Sequence, residues 1–310
     1  MFDIDHKKIF VAGHNGMVGR AVCRHLNTKN CEILTASRND LDLTNQGQVD
    51  DWFEKNKPDA VIMCAGHVGG IHANSHYPAD FIYRNIMMAM NVIHASHEYE
   101  VEKLLYLGSS CIYPRECAQP MTEDQLMTGG LEPTNAPYAM AKLAGINACQ
   151  SYRRQYGSNF ISAIPCNLYG PYDNFDPLNS HVPSALLSRF HQAKINSDPS
   201  VTLWGTGNTI REFMHVDDLA NGLIFLLQNY DALEPINIGT GQGISINDFA
   251  VKIKNIVGYN GEIDHDLSRP DGMMEKIMDV SKLKQMGWKS SISLDDGLQN
   301  FYDWDLNHVA

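Results

Sequence analysis

The chain has 310 residues, enough to bury a nucleotide-binding domain plus a smaller lobe. Its 24 Lys and Arg against 36 Asp and Glu give a formal charge of −12, which argues against a nucleic-acid or anionic-membrane surface and obliges any anionic ligand to find a locally positive pocket. Apolar runs such as residues 222–228 are too short to span a bilayer, the first strand starts too early to leave room for a signal peptide, and seven cysteines without Cys-x-x-Cys spacing fit reduced thiols in a cytoplasmic protein with no metal site.

Residues 7–13 predict a short apolar strand, closed by the run Gly13, His14, Asn15, Gly16, Met17, Val18, Gly19. Val18, Ala21, Val22 and Leu26 then recur at helical spacing, predicting a helix that ends near Lys29 and Asn30. Residues 31–38 read as the second strand, 46–56 as a helix and 59–66 as the third strand. A helix over 79–98, a strand over 103–110, a helix over 136–156 and a strand over 159–167 continue the alternation. Such alternation predicts βαβ units and an α/β fold with a doubly wound parallel sheet. After Gly170 and Pro171 the rhythm breaks: a loop runs into a helix within 172–190, 201–205 is a short strand, and 213–229 is a strand leading into a helix. The remainder mixes short strands and helices. The predicted organisation is a Rossmann domain over 1–170, also receiving a segment near 211–240, and a discontinuous, smaller mixed α/β substrate-binding lobe over 171–310.

Glycines between a strand and a helix let the backbone approach a pyrophosphate, which then sits on the helix N-terminus. The position of this cluster, at the first strand–helix junction of a βαβ unit, identifies a dinucleotide site. Cofactor choice is read at the end of the second strand, where an acid suits the ribose hydroxyls of NAD and an Arg suits a 2′-phosphate. The chain carries Ser37 and Arg38 there, with no acid before Asp40, which points to NADP(H). Asp42 and Leu43 follow closely enough to border the adenine.

Tyr138 and Lys142 are four residues apart on a predicted helix and therefore share a face. An ammonium beside a phenol favours the phenolate, so the pair can pass a proton near neutral pH, and Ser109 on a preceding loop can hold the same carbonyl oxygen. Cys111 and His181 add a thiol and an imidazole, a second acid/base pair that simple carbonyl reduction does not require. The other cysteines (23, 31, 64, 117, 149 and 166) read as small packing residues. Arg189, Arg211 and Lys276 are candidates for a diphosphate, and Trp204 either stacks on a ring or packs in the core.

Residues 12–19 (AGHNGMVG), 68–85, 107–114 (LGSSCIYP), 131–142, 167–175, 179–191, 211–218 (REFMHVDD), 236–241 (INIGTG) and 269–272 (RPDG) together resemble the extended short-chain dehydrogenase/reductase family, in one order from about residue 8 to 305. The resemblance is to its members that use NADPH to epimerise C3 and C5, and then reduce C4, of GDP-4-keto-6-deoxy-D-mannose. It implies that Ser109, Tyr138 and Lys142 reduce the carbonyl while Cys111 and His181 are base and acid of epimerisation. The 13–19 loop would hold the cofactor phosphates and Arg38 the 2′-phosphate. Leu107, Gly108, Ser110, Lys142, Pro165, Cys166, Asn167, Leu168 and His181 would line NADP(H). Arg189, Trp204, Arg211, Asp271 and Lys276 would hold the GDP-sugar. A homodimer through the helices over 79–98 and 136–156 is also implied. Two departures stand out: Asn15 where the family often has a basic residue, and Glu275 beside Lys276 where a basic pair often occurs. Ser110 and Cys111 replace the Asp-Glu pair of related dehydratases, which disfavours water elimination. A related GDP-4-keto dideoxy-hexose or heptose remains an alternative substrate, and a non-catalytic NADP-sensing protein an alternative of another class.

Overall fold

Strand β1 (Lys8–Ala12) is buried at every position from Ile9 onward, as a strand covered on both faces must be. The computed structural model describes residues 1–176, 180–268 and 271–308, and builds outward from that strand. In chain order follow α1 (Met17–Leu26), β2 (Glu32–Leu34), α2 (Gln46–Asn56), β3 (Ala60–Met63), α3 (Ile71–His76), α4 (Pro78–Glu98), β4 (Lys103–Leu107), α5 (Ala136–Tyr156) and β5 (Phe160–Pro165). The later elements are β6 (Asn167–Tyr169), α6 (Val182–Asn196), β7 (Ser200–Trp204), β8 (Ile210–His215), α7 (Val216–Asn229), β9 (Ile236–Ile238), β10 (Gly243–Ser245), α8 (Ile246–Val257), β11 (Glu262–Asp266), β12 (Glu275–Lys276), α9 (Ser281–Gln285) and α10 (Leu294–His308).

Six parallel strands run in the order β2-β1-β3-β4-β5-β9, so the chain leaves β1 to one side for β2 and returns to its other side for β3. Ligands of open α/β sheets bind at such a reversal, beyond the C-terminal ends of the strands. Helix α4 neighbours both α2 and α5, and α1 neighbours α7, which gives the two-sided cover of a doubly wound sheet. Segments 216–229 and 236–238 join this unit: α7 packs on α1 and β9 extends the sheet beyond β5. A second buried cluster, built on Phe190, Phe213, Phe249 and Phe301, lies among α6, β8, α8 and α10. There β10 and β12 flank the first half of β8 and β6 pairs with its second half, while β11 pairs in parallel with β7.

Two local departures have clear causes. The second strand stops at Leu34, because Ser37 starts a turn: its hydroxyl donates to Asp40 and its carbonyl accepts from Asp40 N–H and Leu41 N–H. The first helix stops at Leu26, its end closed by turn bonds from Asn27, Thr28 and Lys29. The short helix α3, within a segment that sequence periodicity left unassigned, precedes the Pro78 start of α4.

Helices α4 and α5 carry the site toward the sheet and touch through a hydrogen bond between His94 Nδ1 and Tyr152 Oη at 2.8 Å. Close packing under α5 depends on Gly145, where a Cβ would lie 2.3 Å from Tyr106 Cζ. Tyr106 is fully buried on β4, and the Lys142 amino group lies 5.1 Å from its ring centre. The helix-propensity gain of Gly145→Ala is at most about 1 kcal/mol. Overpacking a rigid core ring costs roughly 1–3 kcal/mol. The clash wins: Gly145→Ala should lower the thermal midpoint by a few degrees in calorimetry, whereas an equal or higher midpoint would show that Tyr106 can yield.

Candidate active site

The glycine loop occupies the switch point. Gly13 has φ +86°, and a Cβ there would lie 2.6 Å from Ala65 N at the end of β3. A Cβ on Gly19, in the first turn of α1, would lie 2.2 Å from Gly13 O. No other residue fits either position, so the backbone at both glycines stays bare beside the α1 N-terminus, as a pyrophosphate cradle requires. His14 Nδ1 is buried without a hydrogen-bond partner, an orphan that a bound polar group can satisfy. These features fit a dinucleotide.

Arg38 lies in the turn after β2, with Asp42 in its field. Asp42 accepts from Thr44 N–H at 3.0 Å and Thr44 Oγ1 at 2.8 Å, which holds its carboxyl below the usual range and shapes the loop that contains Leu43. On the flank beside Asn15, Arg20 donates to the Asn15 carbonyl at 2.9 Å and rests 4.3 Å over the Tyr172 ring. Arg20 and Arg24 border a pocket there together with His14, Asn15 and Thr35, restoring positive charge near the residue that lacks it.

Across the switch point, β4 ends at Leu107 and Gly108, and Ser109 caps a short 3-10 turn over Ser110–Ile112. The Cys111 N–H points to Ser109 Oγ at 3.4 Å. Lys142 and Tyr138 project from the first half of α5. Lys142 Nζ donates to Leu107 O at 2.9 Å and lies 5.9 Å from the Tyr138 ring centre. It also lies 3.8 Å from the position a Cβ on Gly66 would take, so this one amino group spans the ends of β3 and β4. Pro165, Cys166, Asn167 and Leu168 form the β5–β6 junction, just past Ala163, the β5 partner of Leu107, with Asn167 Nδ2 donating to Glu212 O at 2.9 Å.

Burial governs the protonation of this cluster. It pulls Lys142 down to about 8, against the raising influence of the Cys111 and Cys64 thiols. It pushes the Tyr138 phenol well above its ordinary value, with Cys111 adding to the rise and the Ser109 hydroxyl drawing it back. The Cys111 thiol also rises through burial, and Lys276 is the strongest influence opposing that rise. Spacing alone suggests a phenol and a thiol poised near neutrality. The fold reverses this for both: desolvation outweighs the Ser109 hydrogen bond at the phenol and the Lys276 and Lys142 ammonium groups at the thiol.

Lys276 on β12 stands in register with Arg211 on β8, so two cations lie side by side at the edge of the cluster. Burial lowers both. Asp271, which accepts from Thr206 N–H at 2.9 Å and Thr206 Oγ1 at 2.7 Å, acts electrostatically on Arg211. Arg189 on α6 donates to Thr202 O on β7, and Trp204 at the end of that strand is 68% exposed, which settles its packing alternative in favour of the surface. Arg189 and Trp204 thus sit at β7, and the Arg211–Lys276 pair on β8 and β12. His181 is the exposed N-cap residue of α6. Its electrostatic neighbour is Asp173, bound by Ser184 Oγ at 3.0 Å, and the same hydroxyl bonds His181 O at 3.2 Å. Asn179, at the start of the His181 segment, and Arg269 and Pro270, at the start of the segment containing Asp271, lie outside the described residues.

Sequence reasoning missed Asp173, Asn85 and Glu212. Asn85, buried on α4, accepts from His67 N–H and donates to His67 O, both at 2.9 Å, and so fixes the chain beyond β3. The available signal was an amide on an apolar helix face. Among the described residues, no group of three or more His, Cys, Asp or Glu side chains is placed to hold a metal ion, and no helix is long and apolar enough to cross a membrane. All seven cysteines are free thiols.

Comparison with known proteins agrees with this geometry. The sequence profile of the NAD dependent epimerase/dehydratase family matches residues 9–239. "GDP-L-fucose synthase 1" of Arabidopsis thaliana is 52% identical over 304 residues, covering 98% of this chain and 94% of that protein. Among solved structures, a GDP-6-OMe-4-keto-L-xylo-heptose reductase from C. jejuni superposes with a TM-score of 0.93 at 38% identity, covering 99% of each chain. A GDP-L-fucose synthetase from Naegleria fowleri bound to NADP superposes with a TM-score of 0.91 at 26% identity, covering 99% of this chain and 96% of that one. The glycine loop, the Tyr138–Lys142 pair and these full-length matches place the chain in the NAD dependent epimerase/dehydratase family, and within it among the GDP-L-fucose synthases.

Proposed function

We propose that the protein converts GDP-4-keto-6-deoxy-D-mannose to GDP-L-fucose with NADPH, by epimerisation at C3 and C5 followed by reduction at C4. The observation that carries this reading is the meeting, around Cys111, of the Tyr138–Lys142 pair with Lys276 and its neighbour Arg211. A carbonyl-reducing group and a diphosphate-binding group thereby flank one thiol. The 52% identity to a GDP-L-fucose synthase, against 38% to the heptose reductase, favours the deoxyhexose over the heptose. Retention of both Tyr138 and Lys142 speaks against a non-catalytic sensor.

The 13–19 loop would hold the cofactor pyrophosphate, Arg38 the 2′-phosphate, and the β4 and β5 ends, from Leu107 to Ser110 and Pro165 to Leu168, the nicotinamide half. When bound, NADPH supplies the hydride that reduces C4. The chain's own groups move the protons. A C4 ketone acidifies C3 and C5, so Cys111 and His181 can remove a proton from one face and return one to the other through an enolate. Because burial keeps the thiol protonated, its base role depends on the nearby Lys276 and Lys142 charges. Asp173 and Ser184 set the turn that presents His181. Tyr138, a phenol held protonated by burial, then delivers its proton to the C4 oxygen, which Ser109 helps to hold. Lys142 keeps a positive charge beside both.

The proposal extends to a cytoplasmic homodimer of two such domain-and-lobe subunits, with the α4–α5 face as the interface. Exposed Tyr83 on α4 and Met140 and Tyr156 on α5 supply apolar surface there.

The direct test is to incubate the purified protein with NADPH and GDP-4-keto-6-deoxy-D-mannose and identify the product. One GDP-L-fucose per NADPH oxidised is expected. Oxidation confined to a GDP-4-keto-heptose would favour the heptose reading, and none with either sugar would remove the enzyme reading. The alkaline limb gives a second check. Lys142 loses its proton as pH rises through about 8, so turnover should fall above that pH. The residual activity of Lys142→Arg should lack this limb, because a guanidinium stays charged. A limb unchanged in that variant would assign it to another group.

A further inference from the structure

Consecutive residues of a strand face opposite ways, so Arg211 and Glu212 on β8 point to opposite sides. While Arg211 stands beside Lys276, Glu212 is completely buried. Its Oε1 accepts from Thr240 N–H at 2.6 Å, Gly241 N–H at 2.8 Å and Thr240 Oγ1 at 3.3 Å. Its Oε2 accepts from Met278 N–H at 2.7 Å. Gly239 leaves room for the carboxylate, since a Cβ there would lie 2.2 Å from Oε1. The donors come from two separate stretches: the turn beyond β9, the last strand of the cofactor sheet, and the chain two residues beyond Lys276. One carboxylate thus ties the strand that bears Arg211 both to the dinucleotide sheet and to the strand that bears Lys276.

We infer that Glu212 is a positioning residue for diphosphate binding, holding the Arg211–Lys276 pair against the catalytic cluster without touching the ligand. This rests on the reading of that pair as the diphosphate site. Glu212→Gln discriminates the two ties. With the amide oxygen on the side of three donors, its NH2 faces Met278 N–H, donor against donor, so only the tie to β12 is lost.

The test titrates GDP and NADPH separately into the intact protein by calorimetry. Glu212→Gln should weaken GDP roughly tenfold or more, as breaking a charged hydrogen bond does. NADPH affinity should stay within about twofold, the limit for independent sites. In a Lys276→Met background the Glu212→Gln effect on GDP should largely vanish, because it acts through Lys276. Full additivity, or equal losses of both ligands, would overturn the inference. If Lys276→Met alone binds GDP normally, the diphosphate reading itself fails. Hydrogen exchange of the unaltered protein covers the case in which Glu212→Gln does not fold. The Met278 amide should be protected as strongly as those of Thr240 and Gly241, and exchange at the rate of exposed loop amides would refute the clasp.

Discussion

The buried ammonium of Lys142 is the group on which the site depends. Placing it under α5, with 5% of its surface exposed and its pKa drawn from 10.5 to about 8, costs about 3 kcal/mol of charge stabilisation. The fold offsets that with one carbonyl, Leu107 O, and with the face of Tyr106. Both partners belong to β4, so the charge can lie only where β4 ends. That end is level with the end of β3, whose next residues crowd against Gly13. The glycine loop, the lysine and the phenol are thereby brought to one crevice by the strand order alone.

A second constraint joins the two halves. Asn237 on β9 is fully buried and saturated: its Oδ1 accepts from Tyr113 Oη at 2.6 Å, its Nδ2 donates to Met121 O and Asp279 O, and its N–H donates to Glu123. Glu212 on β8, in the second sheet, repeats the device. A buried polar group with every partner in place is costly to disturb and specifies one arrangement. Both residues fasten the segment around 276–279 to the cofactor sheet. Lys276, the strongest influence opposing the rise of Cys111, is therefore held in place by hydrogen bonds to the residues that follow it rather than by a flexible loop.

Much of this was legible in the residues. The glycine run, α2 over 46–56 and α5 over 136–156 follow from local spacing, and local spacing survives folding. The alternation of strands and helices was enough for a doubly wound sheet. The early end of β2 was harder, because a Ser37–Asp40 turn competes with a strand that has a neighbour on one side only. Asn85 left only the faint signal of an amide on an apolar helix face, while Glu212 and Asp173 were invisible because the partners of Glu212 lie far along the chain and Asp173 acts across a turn whose geometry spacing does not encode. The protonation states were misjudged for a different reason. Sequence names the neighbours of a phenol or thiol but not the depth at which they are buried, and in this site depth decides.

The central proposal is that two proton-transfer systems, Tyr138–Lys142 and Cys111–His181, act separately on one substrate. Solvent-deuterium incorporation into GDP-4-keto-6-deoxy-D-mannose measures this directly in two variants. Tyr138→Phe should lose on the order of 10²-fold in C4 reduction yet still place deuterium at C3 and C5. Cys111→Ser, whose hydroxyl cannot take a proton near neutrality, should lose that exchange while its fold persists. Exchange at the parental rate in Cys111→Ser, or its disappearance in Tyr138→Phe, would contradict the account.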